Sequence, residues 1–176
     1  IENYFEAKKK LFTNLKPEGV AVLNADDAYM EQLKEATKAR VVTYGIEHEA
    51  DYQAKNIRIE KGGSRFTLVH DDKSYEIVTN LVAQYNVSNL LAAISAMNES
   101  GISIEEQLPY LYHIKQIEGR MESIDEGQMF NVIVDFAHTP DGMEKVFEYA
   151  KDITEEGHSI IAVFGSAGKR DTKKRK

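Results

Sequence analysis

The chain has 176 residues, 42% of them hydrophobic and 29% charged, with no cysteine. That is one ordinary domain or two small ones, with too much apolar material for a disordered chain, and with disulfides, thiolate nucleophiles and zinc–thiolate sites all excluded. Its 22 basic and 29 acidic side chains leave a net charge of −7.

The charge is unevenly spread. Residues 169–176 (KRDTKKRK) hold six of the basic groups and one acid, leaving 16 basic against 28 acidic side chains in the body. An acidic body argues against a broad nucleic-acid surface, which depends on neutralising phosphates. The basic tail can touch nucleic acid or serve as a nuclear signal; a solvated loop, or one that meets anionic ligands, is the plainer reading. The purely apolar runs are a few residues long, far short of the roughly 20 that span a bilayer, and no basic-then-apolar leader opens the chain. The expectation is a cytoplasmic protein with no membrane and no nucleic-acid partner.

Residues 3–12 (NYFEAKKKLF) have helical spacing of Tyr4, Phe5, Leu11 and Phe12, and Pro17 and Gly19 end that helix. GVAVLN (19–24) reads as a short buried strand, Asp26 and Asp27 can cap a helix over roughly 27–37, and RVVTY (40–44) is a second β-branched run. Strand, helix, strand predicts a parallel α/β layer. Three alternating segments follow, 52–60, 64–70 and 73–79, joined at Gly62-Gly63 and Asp71-Asp72. They predict a small antiparallel three-stranded meander. NVSNLLAAISAMNESG (86–101) places Leu90, Leu91, Ile94 and Met97 in one helical stripe, with Gly101 as its stop.

Another helix is expected over 104–114. EGRMES (118–123) and Gly127-Gln128 then interrupt the periodicity, and FNVIVD (130–135) restarts a strand. Thr139 suits the cap and Pro140 the first position of the next helix. IIAVFG (160–165) predicts a further parallel-type strand, leading into a glycine-containing loop. Both ends look cut, so missing N-terminal and C-terminal parts of the same protein are expected partners.

Lys8 is the first residue that can carry chemistry. On a helix its neighbours three and four residues away are Tyr4, Phe5, Leu11 and Phe12, so it points toward an apolar stripe. A desolvated lysine favours the neutral amine, which can act as a nucleophile or take up CO2 as a carbamate; alternatively its stem simply covers the core. Asn86 and Asn89 share one face of a helix start, where paired amides can bind a base, a phosphate or a ribose, or merely cap. Asp135 ends an apolar strand, and Ala137, His138, Thr139 and Asp141 follow it. Ligands of open α/β sheets bind beyond the carboxyl ends of strands, so this carboxylate can accept from ribose hydroxyls, with His138 beside a phosphate or base. The plainer reading makes it only a helix start. GSAGKRD (165–171) is not a phosphate-binding GxxxxGK[ST] loop, since two residues separate Gly165 from Gly168 and Arg170 follows Lys169. Arg170 can still hold a carboxylate or phosphate bidentately. No metal-ligand spacing of histidines and no GxSxG motif occurs.

The strings YFEAKKKLF (4–12), LNADD (23–27), YNVSNLLAA (85–93), EGRMESID (118–125), VIVDFAHTPDGME (132–144) and VFGSAGKRD (163–171) together resemble the Mur ligases, most closely the MurE type. The resemblance implies an α/β chain: part of a parallel-sheet, P-loop-type ATPase domain with a small three-stranded antiparallel sheet, then the start of a Rossmann-like domain. Residues 1–117 would belong to the central ATP-binding domain, and 118–176 to the hinge and the opening of the C-terminal domain. It implies ATP and magnesium as cofactors, with UDP-N-acetylmuramoyl dipeptide and an amino acid as substrates. ATP phosphorylates a substrate carboxylate, and the amine attacks the resulting acyl phosphate. By the same resemblance Lys8 matches a carbamylated lysine that helps hold magnesium, and Asn86 and Asn89 match asparagines of the ATP site. Arg120 matches a hinge arginine that meets the nucleotide, Asp135 a ribose-binding aspartate and His138 its neighbour. Arg170 matches an arginine that meets the carboxylate of the incoming amino acid.

The family's P-loop, its upstream magnesium-binding residues and its DNPR-like amino-acid selectivity motif are absent from these residues, so the chain alone is expected to be inactive. Two other readings stand beside this one. They are a folylpolyglutamate synthetase-like ligase and a non-catalytic Mur-like nucleotide-binding subunit.

Overall fold

The computed structural model describes residues 2–60 and 62–165, which fall into two compact units, one up to Lys115 and one from Gln116. Among the described residues no helix is long and apolar enough to cross a membrane.

The first unit opens with helix α1 (Glu2–Thr13), followed by strand β1 (Val20–Asn24), helix α2 (Met30–Ala36) and strand β2 (Arg40–Gly45). β1 and β2 run parallel in register from Val20 opposite Arg40 to Asn24 opposite Tyr44. This is the predicted strand–helix–strand layer. The capping expectation at Asp26 and Asp27 does not hold: α2 starts later, behind Tyr29, with no side-chain cap bond. Asp27 instead accepts from the Tyr29 N–H at 2.8 Å, and Asp26 turns to another loop.

Strands β3 (Tyr52–Glu60), β4 (Gly63–His70) and β5 (Lys73–Thr79) form the expected antiparallel ladder. Asp71 and Asp72 make its second turn with φ of 48° and 60°, the paired left-handed conformation of a tight hairpin. Gly63 already lies in β4, opposite Glu60, and a Cβ there would come within 2.2 Å of the Thr79 carbonyl oxygen. The meander is not a sheet of its own. β3 also pairs in parallel with β2, at Tyr44 opposite Tyr52 and Gly45 opposite Gln53, giving one mixed sheet in the order β1-β2-β3-β4-β5.

Helix α3 (Gln84–Glu99) lies across β1, β2 and β3. Its Val87, Leu90, Leu91 and Ile94 pack against Val42, Tyr52, Ala54, Phe66, Leu68 and Ile77 of the sheet, and each fully buried side chain of this size contributes about 1.5–3 kcal/mol. Met97, predicted in this stripe, is 42% exposed. Ala96 and Met97 face outward while Asn98 and Glu99 turn to the Tyr52 hydroxyl, and Val87 takes the fourth place in the stripe at the other end. The stop at Gly101 is as expected: with φ of 95° it lets the Ile102 N–H reach back to the Met97 carbonyl and its own N–H to that of Asn98. Helix α4 (Ile104–Leu111), closed at its start by a reciprocal Ser103–Glu106 capping box, adds Ile104 and Leu111 to the core and ends sooner than predicted.

In the second unit, strand β6 (Glu122–Ile124) pairs antiparallel with β7 (Val132–Val134), and helix α5 (Pro140–Asp152) follows. The first strand begins inside EGRMES and runs on to Ile124, where no element was expected. Thr139 caps α5 as predicted, accepting from the Gly142 N–H at 3.2 Å, with Pro140 in the first turn. The strand expected at 160–165 is not formed: Ile161 and Val163 are 88% and 94% exposed and the segment has no regular structure. A strand needs a ladder partner, and among the described residues of this unit the two strands pair with each other.

Candidate functional site

On α1 the helix presents two adjacent stripes, and only one is packed. Phe5 packs against Tyr29, just ahead of α2, with the rings tilted by 30° and their centres 4.8 Å apart, and Phe12, one stripe with it, is half-buried. Tyr4, Lys8 and Leu11 form the other stripe, and Tyr4 and Leu11 are each 66% exposed. Lys8 is therefore exposed, its Nζ 4.6 Å from the centre of the Tyr4 ring. The expected desolvation is corrected here. Lys8 lies on the stripe of Tyr4 and Leu11, and the structure packs the other one. Among the described residues no group of three or more His, Asp or Glu side chains could hold a metal ion.

Asn86 and Asn89 do share a face of α3. Asn86 is buried, donating from Nδ2 to the Val82 carbonyl at 2.7 Å and accepting at Oδ1 from Asn89 Nδ2 at 3.3 Å. The exposed Asn89 is thus oriented by a partner that is itself tied to the loop entering the helix. That loop is strained. Ala83 has φ of 73°, a conformation costing a non-glycine residue about 1–3 kcal/mol, and its carbonyl accepts from the Asn86 N–H.

The LNADD string resolves into a clamp that the sequence did not single out. Asp26 follows β1, and its carboxylate accepts from the N–H groups of Ile46 (2.7 Å), Glu47 (3.1 Å) and His48 (2.8 Å), with His48 Nδ1 at 3.1 Å. Burial pushes this carboxyl up, but the Ile46, His48 and Glu47 bonds outweigh it and hold it below the usual range. Glu47 in turn accepts from Gln84 Nε2 at 3.2 Å, at the start of α3. The signal was a carboxylate immediately beyond a buried strand, but its partners lie 20 residues on.

In the second unit the GRME and DFAH strings meet. Gly119 and Met121 have φ of 66° and 49°, and the turn is closed by the Gly119 N–H donating to Glu122 Oε2 at 2.8 Å. Met121 is buried and the intervening Arg120 is turned outward. Asp135, half-buried after β7, accepts from the Met121 N–H at 2.8 Å and the Ala137 N–H at 2.7 Å, so it joins the two loops. The Phe136 N–H donates to the Gly119 carbonyl. Exposed His138 holds its Nδ1 3.1 Å from the Phe136 carbonyl. A carbonyl can only accept, so Nδ1 carries the hydrogen and Nε2 is the acceptor of the neutral ring. Arg120, Asp135 and His138 are thereby brought together around Phe136. Arg170 lies outside the described residues.

These features match a known pattern along most of the chain. The sequence profile of the Mur ligase middle domain matches residues 1–97, and that of the Mur ligase, glutamate ligase domain matches residues 119–176. The chain belongs to the Mur ligase family. It is 39% identical over 177 aligned residues to the UDP-N-acetylmuramoyl-L-alanyl-D-glutamate--2,6-diaminopimelate ligase of Chlamydia pneumoniae, covering 100% of this chain and 36% of that protein. A solved structure of a ligase of the same name is 31% identical, with a TM-score of 0.72 over 99% of this chain and 36% of its own. The MurF structure from Acinetobacter baumannii, at 21% identity, shares the fold with a TM-score of 0.79 over 87% of this chain and 34% of its own. The chain spans about a third of the length of the Mur ligases it matches.

Proposed function

We propose that this chain is part of an ATP-dependent amide ligase that adds the third amino acid to UDP-N-acetylmuramoyl-L-alanyl-D-glutamate, by way of an acyl phosphate, in peptidoglycan synthesis in the cytoplasm. Residues 1–117 are the later part of its central ATP-binding domain, and 118–176 its hinge and the start of its C-terminal domain. The observation that carries this reading is the 39% identity along the whole chain to a diaminopimelate ligase. 2,6-Diaminopimelate is accordingly the first amino acid to assay.

The residues fit a nucleotide better than they fit a metal. In the second unit Arg120 supplies an exposed cation and His138 an outward acceptor on loops that Asp135 fixes; in the first unit, taken by itself, Asn89 supplies an oriented amide. In this reading Asn86 acts by holding Asn89, and Asp135 meets the ribose at the end of its strand. Magnesium does not fit the described residues: Lys8, as a carbamate, would give a single ligand, and no metal-holding cluster accompanies it. Its role rests on the YFEAKKKLF string. Arg170 keeps the part of holding the incoming amino acid's carboxylate. ATP supplies the phosphoryl group that activates the substrate carboxylate, and the protein's contribution is to place the partners together.

Amino-acid-dependent phosphate release by the intact ligase, with UDP-muramoyl dipeptide and ATP, is the direct test. Turnover with 2,6-diaminopimelate is expected from the intact enzyme and none from residues 1–176 alone. Release that ignores the amino acid would defeat the reading.

A further inference from the structure

Arg120 is exposed, yet among the described residues no carboxylate forms an ion pair with it. What it does have is a ring. Its Cζ lies 5.9 Å from the centre of Phe136, within reach of a cation–π contact. Phe136 is itself 66% exposed, and it is held there on two sides. Its N–H donates to the Gly119 carbonyl at 2.9 Å, next to Arg120, and its ring meets His138 edge-on at 5.2 Å. Phe136 is not among the residues the sequence singles out.

An arginine that must receive an anion has two conflicting needs. It must be oriented, because its side chain otherwise loses substantial rotamer entropy on binding. Its charge must also stay unneutralised. A carboxylate partner would satisfy the first need and defeat the second, since it would compete with the anion for the same N–H fork. An aromatic face orients the guanidinium plane and accepts none of its hydrogen bonds.

We infer that Phe136 is a positioning residue: its ring sets Arg120 in place, fully charged and with its donors open, for an anionic ligand. The ligand, on the function proposed above, is the nucleotide's phosphate chain, and the inference rests on that reading for this point alone. The same backbone that places Asp135 beside the GRME turn places the ring beneath its arginine.

Two measurements test it. In the 176-residue chain, NMR should show the Arg120 side-chain protons shifted upfield by the ring current, with the shift lost in Phe136→Leu and kept in Phe136→Tyr. In the intact ligase, Phe136→Leu should raise the KM for ATP roughly 2- to 5-fold, the size of an exposed cation–π contact, with kcat changed less and Phe136→Tyr restoring the value. Combined with Arg120→Ala, Phe136→Leu should add no further loss. A side-chain shift that persists in Phe136→Leu, or losses that multiply in the double variant, overturns the inference. If Phe136→Leu abolishes the shift but Arg120→Ala leaves the KM for ATP unmoved, the nucleotide role of Arg120 falls and the ring's hold on it stands.

Discussion

The carboxylate of Asp26 gathers three successive backbone N–H groups and an imidazole from one loop, an arrangement usually made by an anion in a nest of amides. Because its folded pKa lies below the ordinary value of 3.8, the stability it contributes is fully present above that value. It is lost as the pH falls through the depressed folded pKa. Asp26→Asn removes the charge and can turn an amide N–H toward other N–H donors, so a cost of about 1–3 kcal/mol is expected in urea unfolding at neutral pH. The acid limb of the stability profile should flatten in that variant. An unchanged limb would mean that other carboxylates, such as Glu99 beside Arg40 and Tyr52, carry the whole acid dependence.

Among the elements, α5 depends visibly on its first residue. Thr139 supplies the cap and Pro140 the first turn, and the helix has a short apolar face in which Tyr149 is buried. Thr139→Ala should destabilise it by about 1 kcal/mol, read as lost helical circular dichroism at an intermediate urea concentration, whereas Thr139→Ser should not. That cap was legible in the sequence because it is local: a hydroxyl, then proline, then an amphipathic run. So were β1, β2, the meander and the glycine that ends α3. What was not legible is non-local. The pairing of β2 with β3 depends on two residue pairs and no distinctive string. β6 is three residues long within a turn-rich stretch. The exposure of Lys8 depended on which of two equally apolar stripes meets α2, and helical spacing alone leaves that choice open. At the candidate site, the place of Asp135 and His138 just beyond a strand was readable. Phe136 was hidden because an aromatic residue in such a run looks like core.

For the molecule as a whole, the two units differ sharply in what they bury. The core cluster around Tyr52, Phe66, Leu91 and Ile94 lies entirely within the first unit. Among the described residues of the second, Met121 and Tyr149 are the buried apolar side chains. Domains of about 60 residues are marginal even with a good core. Residues 1–115 produced alone should melt in a single sharp transition by calorimetry, and residues 116–176 alone should show none. A cooperative transition in the second fragment would refute this division of the core between the two units.

The two-pair junction between β2 and β3 is also a seam between a parallel half and an antiparallel half of one sheet. Thr43 and Asp51 stitch it with reciprocal hydrogen bonds, Glu99 fastens Arg40 on one side to Tyr52 on the other, and α3 is laid across both. The helix is therefore a splint. Under mechanical load the sheet should tear along this line first, and only after α3 has been peeled away.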